Sequence, residues 1–182
     1  MNEIFYSIIL FIWVVFVVNV VAKKGYIYLR ERRSEAAGVY FARKIIHFLA
    51  GGLVAILVPF LYRSPLLPLI LAIVLTIIVY VPHRTGNLMY WFQDPSNIAE
   101  VYFTIMWGII ITIGWLIDVW VGVVPILFMA WGDGITGIIR NFRYSKRTKA
   151  WEGNIGMFLL CAPIGYIFFG LIGLLAALAS SI

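Results

Sequence analysis

Val119–Arg140 reads VWVGVVPILFMAWGDGITGIIR. Its first half is apolar without interruption. Its second half carries Asp133 among three glycines, Gly132, Gly134 and Gly137, and ends on Arg140. A helix needs about 20 apolar residues to cross the hydrocarbon core of a bilayer. Residues 119–139 supply that length with one carboxylate inside it. An ionisable group at such a place is costly, which makes Asp133 the first candidate for function. At about 1.5 Å per residue it lies roughly 10 Å inside the basic end of the helix.

Outward from this stretch the same character recurs. Ile4–Ala22, Ile45–Tyr62, Leu66–Val81, Val101–Ile117 and Ile155–Ala179 are apolar over lengths that cross, or nearly cross, a membrane. Pro163 and Gly165 predict a kink or a strong tilt in the last. Over the 182 residues, 63% are hydrophobic and 12% charged. Soluble domains carry roughly 45–50% and about 25%. That balance excludes a soluble enzyme, a disordered tail and an ordinary nucleic-acid-binding module. The expected fold is all-α: one polytopic transmembrane bundle of about six helices over residues 1–182. The first apolar stretch lacks a basic leader and a small-residue cleavage site, so it reads as a retained anchor. The single Cys161 excludes an intramolecular disulfide and zinc sites built on two or more cysteines.

Charge orders the path. There are 14 Lys and Arg against 8 Asp and Glu. Six alternating helices bring every Lys and Arg except Arg63 to one side, in loops at about 23–44, 82–100 and 140–154. Basic loops stay in the cytoplasm, so both termini are expected outside, in a multi-pass cell-membrane protein with its working face cytoplasmic.

The candidate chemistry lies at that face. Asp133, Thr136, Gly137 and Arg140 share one helical stripe. Asp133 there can bind a divalent cation or take a proton from a hydroxyl; a pair with Arg140 is the alternative. Gly132-Asp133-Gly134-Ile135-Thr136-Gly137 fits G-x-G-x-x-G by letter, but a transmembrane helix is not the strand–turn–helix that motif needs. Its small residues suit close approach of a helix or a ligand. Arg43, Lys44 and His47 fall on one side of the second helix at the same boundary. Lys149 and Glu152 sit where the chain re-enters the membrane, and Asn154 reads as an N-cap whose helix end suits phosphate. Glu100 opens an i+4 ridge with Thr104, Gly108 and Thr112 that reads as a packing seam; its carboxylate can face the Asp133 pocket. Asn19 reads as a helix–helix hydrogen bond.

Arg43-Lys44-x-x-His47, Gly132-Asp133-Gly134-x-x-Gly137 and Lys149-x-x-Glu152-Gly153, in that order, resemble the CTP-dependent lipid kinases: dolichol kinase, phytol kinase and fungal-type diacylglycerol kinase. The resemblance runs from about Arg43 to Phe158. Ala150 and Asn154 stand where that family usually has hydroxyl residues. The resemblance implies transfer of the γ-phosphoryl group of CTP to a membrane lipid alcohol, a polyprenol, dolichol or other isoprenoid alcohol. It implies Mg²⁺ on Asp133 and Glu152. It implies Arg43, Lys44, Arg140 and Lys149 around the triphosphate, with Gly134, Gly137, Gly153 and Asn154 in the nucleotide site and His47 as base or phosphate ligand. Three other readings share parts of this pattern: a CDP-lipid synthase, an isoprenyl-monophosphate kinase, and a small transporter or scaffold.

Overall fold

The computed structural model describes residues 2–144 and 150–182. It is an all-α polytopic bundle, with no strand among the described residues. The helices are α1 Asn2–Arg32, α2 Glu35–Leu61, α3 Leu66–Thr85, α4 Ala99–Trp115, α5 Val119–Arg143 and α6 Trp151–Ser180. All but α4 reach the length and hydropathy of a membrane crossing. α5 forms the centre: 61% of its most apolar window is buried, against 11–28% for the other long helices. Those others turn most of their apolar surface outward, as helices facing lipid must.

Local chemistry sets the ends. Ser34 Oγ accepts from Ala37 N and starts α2. Asp118 accepts from Trp120 N and starts α5. Gly86, at φ 77°, closes α3 in the left-handed conformation that ends helices. Gly114 and Gly122 let the backbones of α4 and α5 touch across the short turn.

Two expectations about connections are corrected. The predicted first loop, 23–44, is almost wholly helical, broken only around Arg33 and Ser34. Hydropathy marks where the lipid ends, but Lys and Arg are good helix formers and continue the helix beyond it. The extensions pack as an antiparallel pair in which Tyr26 backs onto Gly38. In the predicted 82–100 and 140–154 loops, 82–85, 99–100, 140–143 and 151–154 are likewise helical. The second correction concerns α6. The break falls at Gly170 and not at Pro163 or Gly165: Gly170 takes φ 58°, ψ −136°. The backbones of Gly165 and Gly173 then pack directly on each other, and Cys161 and Ala177 share one buried cluster. In a straight helix residues eight apart are separated by about 12 Å. The last segment therefore folds back on the first part of α6.

Three helices contain a π-helical turn: Val17–Ala22 in α1, His47–Gly52 in α2 and Phe128–Gly132 in α5. Such turns leave carbonyls poorly satisfied, and in α1 and α2 indoles fill them. Trp131, Trp13 and Trp107 donate to the carbonyls of Phe48, Leu49 and Gly51, at 3.0, 2.9 and 3.1 Å. Trp91 donates to Val18 O at 2.8 Å. The α3–α4 ridge is a seam as predicted: Thr104 bonds Thr76 at 2.9 Å and Gly108 lies against Ala72. Among the described residues Asn19 makes no bond between helices; it donates to Val15 O of its own helix.

Candidate functional site

The π-helical turns of α2 and α5 lie side by side and deliver His47 and Asp133 to one place. Such turns recur at functional sites because they re-aim side chains within a continuous helix. Gly137, one helical turn beyond Asp133, carries no side chain, and the methylene stem of Lys44 occupies that space. Gly134 likewise makes room for the Phe48 ring. Lys44, 5% exposed, thereby reaches Asp133 Oδ2 at 2.6 Å, with its ammonium also over the Tyr40 ring. His47 Nδ1 stands 3.1 Å from the same oxygen, and its ring stacks on Phe103 with centroids 4.2 Å apart. A buried ammonium is tolerable only with such a partner. The Asp133 side chain keeps 48% of its surface exposed.

A second charged group faces this one. Arg43, adjacent to Lys44 in sequence, turns toward α3 and α4. Its Nε donates to Phe92 O at 2.6 Å, and its Nη2 stands 3.5 Å from Glu100 Oε2. Glu100 Oε1 is 2.6 Å from His83 Nε2. Arg43 Nη2, Glu100 Oε2 and His47 Nδ1 are all buried without an aligned hydrogen bond.

These groups close the polar end of a cavity of about 330 Å³. Both Asp133 and Glu100 line it, as the sequence allowed. The rest of its wall is apolar, from α1 to α4, through Val14, Val54 and Leu75. It runs to Tyr62, which bonds Ser7 at 3.0 Å at the opposite end of the bundle. From Lys44 to Tyr62 the helical rise is about 27 Å. A second cavity of about 780 Å³ adjoins the first, with a mixed wall in which Glu35, Asp94, Arg140 and Asn141 stand among apolar residues such as Val39 and Leu88. Tyr40, Arg43 and Asn97 line both, so the two spaces meet at Arg43. The Ser96 hydroxyl and backbone N–H hold the Asp94 carboxyl below its usual range.

The structure divides the other predicted residues. The stripe Asp133, Thr136, Gly137, Arg140 splits between neighbours: Asp133 and Gly137 face α2, whereas Thr136 and Arg140 face α6. Thr136 donates to Gly153 O or Gly132 O, and Gly153 leaves space for the Arg140 side chain. Arg140 donates to Ala150 O and to Asn154 Oδ1, at 3.1 and 2.6 Å. It is not paired with Asp133. Asn154 does not cap α6, which begins at Trp151; it sits one turn inside the helix as the partner of Arg140. Glu152 lines neither cavity. Tyr144 donates to its Oε1 at 2.7 Å, which pushes the phenol pKa up, and Arg143 Nε lies 3.3 Å away. Among the described residues no cluster of three or more His, Cys, Asp or Glu forms a metal centre. Lys149 lies outside the described residues. Sequence reading left His83 unassigned and missed Tyr40 and Phe92. His83 lies 17 residues from Glu100, and no local spacing links them.

Compared with models of protein families, with curated proteins and with solved structures, the chain matches none.

Proposed function

We propose that the protein is a CTP-dependent kinase that moves the γ-phosphoryl group of CTP onto a membrane lipid alcohol of isoprenoid type. The observation that carries this reading is the meeting, at Arg43, of a long apolar cavity and an outer one that carries Arg140, beside Asp133, Lys44 and His47. A kinase of this kind must bring a soluble anion and a lipid hydroxyl together at the membrane boundary. The outer cavity suits the nucleotide, with Arg140 and Arg43 to meet its phosphates. The inner slot suits one apolar chain. The resemblance to lipid kinases supplies the choice of CTP.

Phosphoryl transfer is mainly positioning and charge neutralisation. Lys44 bonds Asp133 and His47 stands beside it, while half of the Asp133 side chain stays exposed. Mg²⁺ commonly binds through one or two carboxylates plus substrate phosphates, so Asp133 alone is a sufficient protein ligand for a metal that arrives on the nucleotide. When bound, that ion would neutralise charge on the phosphates. Glu152, engaged by Tyr144 and Arg143, has no part in this arrangement. The polar groups gather at one end of the slot while the Tyr62–Ser7 bond stands at the other. That asymmetry supports an enzyme over a transporter, which needs a path to both sides.

The test uses the full chain in lipid bilayers with Mg²⁺, γ-labelled CTP and separate lipid alcohols: polyprenols, phytol-like alcohols and diacylglycerol. Label is expected in an isoprenoid alcohol and is expected to fall about 100-fold or more in Asp133→Asn, as loss of one preorganised charged contact does. No label in any alcohol would refute the reading.

A further inference from the structure

The kinase reading leaves the acceptor hydroxyl without a seat, and the Arg43–Glu100 pair supplies one. Charge-assisted hydrogen bonds close to about 2.7–2.9 Å. Arg43 Nη2 and Glu100 Oε2 stop at 3.5 Å, and neither makes an aligned hydrogen bond. The Glu100 side chain is 10% exposed, and Phe92 O and His83 Nε2 hold the two side chains from behind. One buried donor and one buried acceptor thus remain side by side on two residues that line the apolar slot. Their shared complement is a group that both donates and accepts, as a hydroxyl does. An aldehyde, an ether or a hydrocarbon satisfies at most one of them, and a phosphate monoester would set negative charge against Glu100.

We propose that the gap between Arg43 Nη2 and Glu100 Oε2 binds the hydroxyl of a single-chain lipid alcohol. The alcohol donates to Glu100 Oε2, accepts from Arg43 Nη2, and lays its chain along the slot toward Tyr62. Resting on the kinase reading, the same placement assigns Glu100 as the base. The alcohol oxygen forms a bond to the γ-phosphorus and its proton passes to Glu100 Oε2. The bond from that phosphorus to the β,γ-bridging oxygen breaks, and CDP leaves with the electron pair. Arg43 lines both cavities and so stands between the hydroxyl and the incoming phosphate. His83 is a positioning residue that fixes the other Glu100 oxygen.

The experiment needs no turnover. Tritiated geranylgeraniol and its tritiated methyl ether are bound at equilibrium to the full chain in nanodiscs without nucleotide. The ether cannot donate to Glu100. The wild type is expected to prefer the alcohol by about tenfold or more, the size expected for a buried hydrogen bond to a charged group. Glu100→Gln is expected to cut that preference to a few-fold and Glu100→Met to abolish it, while Tyr62→Phe leaves it intact. The Gln variant keeps the site testable should the Met variant fail to fold. Equal binding of alcohol and ether by the wild type, or full preference in Glu100→Gln, would overturn the proposal. A parallel assay with γ-labelled CTP separates the two ideas. A Glu100-dependent preference without phosphoryl transfer keeps the hydroxyl site and removes the kinase. Transfer with full preference in Glu100→Gln keeps the kinase and removes the site.

Discussion

At the residue scale, the position of Lys44 depends on an absent side chain. Its stem crosses Gly137, and a Cβ there would overlap it. Gly137→Ala should push the ammonium off Asp133. The expected cost is about 1–3 kcal/mol, the range for overpacking a filled space, read as a lower Tm in detergent; an unchanged Tm would refute the contact. Asp133→Asn removes the partner of a buried cation. Because half of the Asp133 side chain is exposed, the cost is discounted to about 1–2 kcal/mol. Adding Lys44→Met should restore part of it, since the two sites are coupled. Independent, additive effects in this cycle would contradict the pairing. The importance of Asp133 was legible because a carboxylate in a long apolar run stands out. So was the proximity of Lys44 and His47 to each other, one turn apart on α2. Their convergence on Asp133 was not, since nothing local joins Lys44 to a position 89 residues away.

At the element scale, the long helices of the bundle were readable because hydropathy reports the length of each crossing. The π-helical turns and the reversal at Gly170 were not. Both are decided by tertiary partners: indoles that satisfy carbonyls, and glycine backbones that pack on each other. Trp107→Phe keeps the ring bulk and removes the N–H that serves Gly51 O. It should cost about 1–3 kcal/mol as an unsatisfied buried carbonyl. A Tm equal to wild type would show that the indole does not hold the turn. The reversal has a sharper check. Ala177→Cys should be joined to the native Cys161 by a short thiol cross-linker, because both lie in one cluster. A straight α6 would hold them about 24 Å apart and give no product.

At the scale of the whole molecule, charge placement carried the reading of the path, six alternating helices with both termini opposite the basic loops; the reversal at Gly170 departs from that path and brings the C-terminal segment back along the first part of α6. Arg43, Lys44 and Arg140 stand together around the two cavities, while Arg63 pairs with the other end, where its N–H donates to Glu3. The sequence alone could not reveal the apolar slot, which exists only once α1 to α4 are packed. If the basic end faces the cytoplasm, Arg63→Cys in intact cells should react with a membrane-impermeant maleimide, whereas Lys24→Cys should react only after lysis. The opposite labelling would invert the molecule and place the outer cavity away from cytoplasmic CTP.

The central claim is that the two cavities bring nucleotide and lipid alcohol together for γ-phosphoryl transfer. The most direct measurement supplies CTP labelled with distinguishable isotopes at the α and γ phosphates to the full chain in bilayers containing an isoprenoid alcohol. The γ isotope alone should enter the lipid fraction, with CDP as the soluble product. The α isotope entering a lipid phosphate, with release of pyrophosphate, would contradict the claim and make the protein a CDP-lipid synthase.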